Sequence, residues 1–250
     1  MIVEDPTKPR VLFAGDRCVV VEFGTVIDRA MNARVQQLRR DLETRPLAGL
    51  TELVPTYRSL AVYFDPSAAP ENLPALLASR AAGLEGSVET DGRCVVIPVG
   101  YGGTWGPDLT EVARHAGLSE DEVVARHTGR EYYCYMLGFT PGFAYLGGMD
   151  EALATPRLAS PRTKIPAGSV GIAGAQTGIY PIDSPGGWQL IGRTPLKLFD
   201  PDAQPPTLLD AGLWVRFVAV DEESYAAVAD QVRRGSYVPE VREKGGGHAA

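Results

Sequence analysis

The chain has 250 residues, a formal net charge of −7 and an apolar fraction of 44%. Such content builds a core and excludes a wholly disordered chain, and the length suits one large domain or two small ones. No apolar run nears the ~20 residues of a membrane-spanning helix, MIVEDPTKPR lacks the order of a signal peptide, and mild acidity argues against nucleic acid as partner.

Residues 10–23, RVLFAGDRCVVVEF, read as two short strands around a Gly15-Asp16 turn. A helix follows, with Ile27, Met31, Val35, Leu38 and Leu42 at helical spacing and Arg34, Arg39, Arg40 and Asp41 facing outward. Pro46 and Gly49 end it. TELVPTYRSLAVYF (51–64) supplies two more strands, broken at Pro55, and a second helix runs from about 70 to 82. The order ββαββα predicts a small antiparallel sheet with two helices on one face. The polar, glycine-punctuated stretch from Gly83 to Gly92 marks a boundary, dividing the chain into an N-terminal α+β domain (1–86), a second, β-rich domain (87–222) and a terminal helix with a flexible tail (223–250).

RCVVIPVGY (93–101) opens the second domain as a strand. DLTEVARHAGLS and SEDEVVARHTG form a helix pair, with Ser119 and Glu122 spaced as a capping box. From Glu131 onward, short aromatic and branched runs are cut by glycine and proline every few residues, the rhythm of a barrel or sandwich. LWVRFVAV (213–220) is a closing strand, SYAAVADQVRRG a terminal helix and VREKGGGHAA a frayed tail.

Cys18, Cys94 and Cys134 are widely spaced in apolar runs and read as reduced core thiols, which suits a cytoplasmic protein. The three histidines (His115, His127, His248) form no H-x-x-x-H pair and there is no C-x-x-C, so no metal site is expected. No lysine stands in a P-loop, and there is no G-x-G-x-x-G. Ala167-Gly168-Ser169-Val170-Gly171 resembles a degenerate nucleophile elbow, but β-like text follows it where a helix is needed.

Residues 165–195, IPAGSVGIAGAQTGIYPIDSPGGWQLIGRTP, combine seven glycines and four prolines with isoleucines, Tyr180 and Trp188. Glycine suits bulges and corners of a barrel whose interior the large side chains fill. Between Ala152 and Phe199 five basic residues (Arg157, Arg162, Lys164, Arg193, Lys197) face one acid, Asp183, so that segment is +4 and the rest −11. Glycines beside Arg193 can present N–H groups to an anion, with the guanidinium as a two-pronged donor. His127 closes a helix, either as a cation at its C-terminus or as a functional group.

HTGREYYCYMLGFTPGFAYLGG, PRLASPRTKIPAGSVGIAGAQTGIYPIDSPGGWQLIGRTP and IPVGYGGTWGPDL together resemble the family of the B-type 5-oxoprolinase subunit, also called the KipI family or allophanate hydrolase subunit 1. The resemblance spans about residues 10–220. It implies an α+β fold, an N-terminal α+β domain followed by a cyclophilin-like β-barrel. It further implies one part of a multi-subunit hydrolase that opens 5-oxoproline to glutamate using ATP, with Mg²⁺ ligands not legible in this chain. Its implied partners are a homologous, KipA-like C-type subunit and a separate A-type subunit. The same family pattern also covers an inhibitor of a histidine kinase and a carboxyltransferase or allophanate-processing subunit. Carried over by motif, the expected catalytic residues are His127, as a proton shuttle, and Arg193. Expected around the substrate are Tyr132, Phe139, Pro141, Gly142, Tyr145, Pro166, Gly168, Ser169, Gln176, Thr177, Tyr180, Pro185, Gly186, Gly187 and Trp188. Backbone N–H groups near Gly168 and Gly186–Gly187 are expected to face a developing oxyanion, and turn aromatics such as Phe143 and Trp188 to meet the homologous partner. Lys164 and Ala144 depart from the pattern, which otherwise has an apolar residue and a proline there.

Overall fold

The computed structural model describes residues 9–84 and 92–243. Most of the boundary stretch, and His248, lie outside the described residues. The chain forms two compact units, residues 1–90 and 91–250.

In the first unit, β1 (Arg10–Phe13), β2 (Cys18–Glu22), α1 (Arg29–Thr44), β3 (Leu50–Pro55), β4 (Ser59–Phe64) and α2 (Leu73–Ala82) follow the predicted order. The four strands form an antiparallel sheet in the order β1-β2-β4-β3. Register sets Val19 opposite Val62 and Val21 opposite Leu60. These four share one core with Val35, Leu38 and Leu42 of α1 and Leu73, Leu77 and Ala81 of α2, so both helices cover one face.

The first turn of α1 corrects the helical reading of Ile27. The Asp28 carboxylate accepts from the N–H groups of Ala30 (2.8 Å) and Met31 (3.2 Å), which starts the helix after Ile27 and leaves that residue 60% exposed. Asp41 does not face outward either. It lies between Arg45 and Arg80, and Arg34 sits over the Phe23 ring.

The second unit comprises β5 (Arg93–Tyr101), α3 (Leu109–Ala116), α4 (Glu120–Thr128), β6 (Glu131–Leu137), β7 (Ala144–Gly147), β8 (Arg162–Ile165), β9 (Ser169–Ala173), β10 (Gln176–Ile179), β11 (Ser184–Gly186), β12 (Gln189–Arg193), β13 (Trp214–Ala219), α5 (Glu222–Arg233) and β14 (Val241–Glu243). Seven strands run β12-β9-β10-β7-β6-β13-β5, and pairing of β12 with β5 closes them into a barrel. The barrel is mixed, because β13 lies parallel to β5 while its other neighbour, β6, is antiparallel. Alternate residues of the strands, among them Ile97, Val99, Val170, Ile172, Ile179, Val215 and Phe217, fill the interior, joined by Leu109, Val112 and Val123 of the helix pair. The capping box forms as its spacing predicts, Ser119 and Glu122 each taking the other's backbone N–H. β8 and β11 make a separate two-stranded ribbon.

Residues 241–243, expected as the start of a frayed tail, instead pair with Arg93–Val95 of β5. The three cysteines are buried, and none is in a disulfide. Among the described residues no helix is long and apolar enough to cross a membrane.

Candidate functional site

The glycines of 165–195 make room for rings. On β9 and β10, Val170, Ile172, Thr177 and Ile179 point into the barrel, so Gly171 and Gly178, paired with each other, point out. A methyl group on Gly171 would come within 3.1 Å of Trp188 Cβ, and one on Gly178 within 3.1 Å of Trp188 Cζ3 and 3.3 Å of Phe143 Cζ. The indole and the phenyl ring therefore pack directly against bare backbone. Phe143 stands edge-on to Tyr145, Tyr180 and Trp188 at centroid distances of 5.2, 5.3 and 5.5 Å. The Trp188 amide hydrogen-bonds the Tyr180 hydroxyl, whose pKa burial nonetheless raises.

This aromatic wall corrects one expectation. Phe143 and Trp188 are buried within their own chain and offer no partner an exposed face. Open to solvent are Phe139, 64% exposed and edge-on to Phe143, and part of Tyr145. Phe139 has φ +66°, a left-handed conformation that costs a phenylalanine about 1–2 kcal/mol. Beside it the Thr140 hydroxyl is buried without a hydrogen-bond partner. Gly142 (φ +80°) turns the chain back between exposed Pro141 and Phe143, while Pro185, Gly186 and Gly187 carry it across the Tyr180 hydroxyl to Trp188.

A second group gathers where Pro166–Ser169 crosses β12. The Gly168 N–H donates to the Tyr180 carbonyl (2.7 Å), and the Gly168 carbonyl accepts from Thr194 (2.9 Å). Arg193 donates from Nε to the Ala167 carbonyl (2.8 Å), while the Ala167 N–H donates to Asp183, itself paired with Lys164. The Gly168 amide is thus already engaged and is not an oxyanion donor here. Ser169 opens a strand and is buried, so it is no nucleophile elbow. Arg193 is half-buried near Tyr225 of α5. Burial raises the Tyr225 pKa, and the arginine's charge opposes that rise. Trp105 stacks on Tyr225 at 4.6 Å.

The +4 segment is not a +4 surface. Arg162 pairs with Asp108, Lys164 with Asp183 and Lys197 with Asp200, and two of these acids come from outside the counted stretch.

His127 belongs to neither group. It is fully buried inside the barrel, stacked on Phe217 at 4.5 Å. Its Nε2 lies 2.9 Å from Thr177 Oγ1 and its Nδ1 2.7 Å from the Tyr101 hydroxyl. Thr177 donates its own proton to the Gly171 carbonyl (3.1 Å), so it accepts from His127, and Nδ1 then accepts from Tyr101. The hydrogen-bond chain therefore has one direction, from Tyr101 through His127 and Thr177 to Gly171. Tyr132 closes the shell by donating to the His127 carbonyl (2.7 Å). Burial holds the imidazole neutral, with a pKa of about 3. A neutral, enclosed ring is neither a helix-terminal cation nor a proton shuttle near neutral pH, which corrects both readings of this residue. The β9–β10 wall stands between it and Trp188, since Thr177 points inward and Gly178 outward. Gln176, half-buried, opens β10 opposite Ala173.

Sequence reasoning missed Tyr101, although it closes the apolar strand 93–101. It also passed over Asp108, whose signal was an aspartate directly before a helix.

Residues 9–209 match the family described as carboxyltransferase domain, subdomain C and D. The chain belongs to that family. It is 46% identical over 228 residues to the B-type 5-oxoprolinase subunit of Bacillus subtilis, spanning 87% of this chain and 95% of that protein. To the B-type 5-oxoprolinase subunit of Escherichia coli O157:H7 it is 43% identical over 218 residues, 86% of this chain and 98% of the other. Among solved structures, it resembles a conserved uncharacterized protein of Pyrococcus horikoshii at 46% identity and a TM-score of 0.53, covering 86% of this chain and 100% of that one.

Proposed function

We propose that the chain is the B-type component of an ATP-dependent 5-oxoprolinase and acts with a homologous C-type component and an A-type component. The observation that carries this is the 46% identity to the Bacillus subtilis protein across 95% of its length. Opening 5-oxoproline breaks the ring C–N bond; a water oxygen ends on the new carboxylate and a proton on the freed nitrogen. The amide is resonance-stabilised, so the reaction needs an energy source.

In this reading the flat ring lies against Phe139 and Tyr145 on the aromatic wall, and Arg193 takes the carboxylate. Supporting it are the exposed aromatic edge and the single Nε bond that Arg193 makes among the described residues. Among the described residues no group of three or more His, Cys, Asp or Glu gathers to hold an ion by itself, and the Gly168 amide is taken. No step on ATP is assigned to this chain.

Co-expression with the C-type and A-type homologues tests the proposal. ATP hydrolysis and glutamate release should both require 5-oxoproline and all three chains. A complex that never forms at micromolar concentration, or turnover indifferent to 5-oxoproline, removes it.

Arg193→Lys separates geometry from charge. A lysine keeps the charge but lacks the planar fork by which one guanidinium holds the Ala167 carbonyl through Nε while its two Nη nitrogens face a ligand. In the assembled complex we expect affinity for 5-oxoproline to fall at least ~10-fold, about 1.4 kcal/mol. Calorimetric titration at low and moderate salt checks this. Unchanged affinity would reduce Arg193 to a tie for the Ala167 loop.

A further inference from the structure

Asp108 sits at the N-cap of α3, yet its side chain accepts nothing from the first turn of that helix. A capping aspartate usually accepts from the second or third amide. Here Oδ1 instead takes Nη2 of Arg162 (2.7 Å) and Oδ2 takes the Leu190 N–H (2.6 Å). Nη1 of Arg162 reaches the Trp188 carbonyl at 3.4 Å. One carboxylate thus joins the loop before α3, strand β8 and the start of β12. Together with Arg162 it holds the main chain on both sides of Gln189, the carboxylate at the Leu190 N–H and the guanidinium at the Trp188 carbonyl. Its side chain is only 12% exposed and that of Arg162 30%.

Stability alone is a weak reason for such a pair. Taking two charges out of water offsets much of their attraction, and an ordinary cap would serve the helix more directly. What the arrangement supplies is position. The two acceptor oxygens point at two donors from different segments, a geometry that an amide cannot match. Arginine alone offers the second prong toward Trp188. We infer that Asp108 and Arg162 are positioning residues that press the Trp188–Leu190 segment onto the Gly171–Gly178 floor, and so set the affinity of the aromatic wall for its small-molecule ligand. The affinity half of this inference rests on the reading of that wall as the 5-oxoproline site.

Asp108→Asn keeps shape but presents one oxygen to two donors. In the assembled complex it should raise KM for 5-oxoproline about tenfold and change kcat less than about twofold, the signature of lost ligand positioning. Arg162→Lys should do the same. The double variant should be no worse than about twice the weaker single, because both remove one interaction. A merely structural pair predicts otherwise: kcat falls with the folded fraction and KM stays, while losses that multiply would show that the two residues do not act through one shared interaction. Either of those results overturns the inference. A second readout needs no turnover. With 5-fluorotryptophan at the three tryptophans, the Trp188 fluorine resonance should shift or broaden in Asp108→Asn while that of Trp214 stays. An unmoved Trp188 resonance ends the positioning claim whatever the substrate. A wild-type complex without 5-oxoproline-dependent turnover instead removes the functional reading, and the fluorine spectra then decide the positioning claim.

Discussion

Acidifying the protein from pH 6 to pH 4 should weaken its fold by about 1.4 kcal/mol per pH unit through His127 alone. In the unfolded chain this imidazole takes a proton near pH 6.5, whereas burial lowers its pKa in the fold to about 3. Between those values the unfolded state binds one more proton, so stability falls as pH falls. The contribution is whole above about pH 6.5 and no more is lost below about pH 3. Asp41 and Asp150 have lowered pKa values, so their contributions are present above about pH 3.8 and are lost only at lower pH. Glu111 and Glu122, also lowered, keep theirs above about pH 4.5, so the window from about pH 4.5 to 6 is left mainly to the histidine. His127→Gln keeps a donor toward Thr177 and cannot titrate. It should be less stable than wild type at pH 7, with a flatter pH dependence. Urea unfolding across this range measures both, and equal slopes in the two proteins would show that the ring is not enclosed as described.

Gly168→Ala should cost about 3–5 kcal/mol, enough to threaten folding of the second unit. Two effects add. The residue has φ +82°, and a methyl group there would lie inside the contact distance of the Thr194 carbonyl oxygen, which is backbone and cannot turn away. Gly174→Ala is the control: φ is +57°, nothing lies within 4 Å, and only the conformational cost of about 1–2 kcal/mol applies. Denaturant unfolding of both variants isolates the steric part. Equal losses would mean that the Pro166–Ser169 crossing has room to spare.

The fold was largely legible because its cues are local. Ser119 with Glu122, the apolar run of 93–101 and turn residues every few positions each act within a few residues of chain. Where local cues misled, as at Ile27, a nearby aspartate made a better helix start than the apolar spacing did. The site was less legible for a geometric reason. Alternation gives a strand two faces but does not say which one a closed barrel turns inward when both are apolar. Thr177 and Gly178 are neighbours in sequence and lie on opposite sides of a wall. His127 looked functional because the ring it stacks on, Phe217, is 90 positions away. Counting charge along 152–199 failed likewise, since Asp108 and Asp200 neutralise Arg162 and Lys197 from outside the stretch. Trp188 and Phe143 were read as exposed turn residues because nothing local reveals that two glycines lie beneath them.

The parallel pairing of β5 with β13 also shapes how the molecule is made. Cys94 lies opposite Trp214, so one of the most apolar strands waits for a neighbour 120 positions downstream. Among the described residues, every strand pairing of the first unit is contained within residues 10–64, so that sheet can form while the ribosome is still elongating. The barrel cannot close until residue 219 has emerged, and until then the edge of CVVIPV is open to any other nascent strand. Synthesis at ~5–20 residues per second leaves that edge open for several seconds or more. Slow, non-local closure of this kind makes the nascent second unit the part of the chain most in need of protection from aggregation.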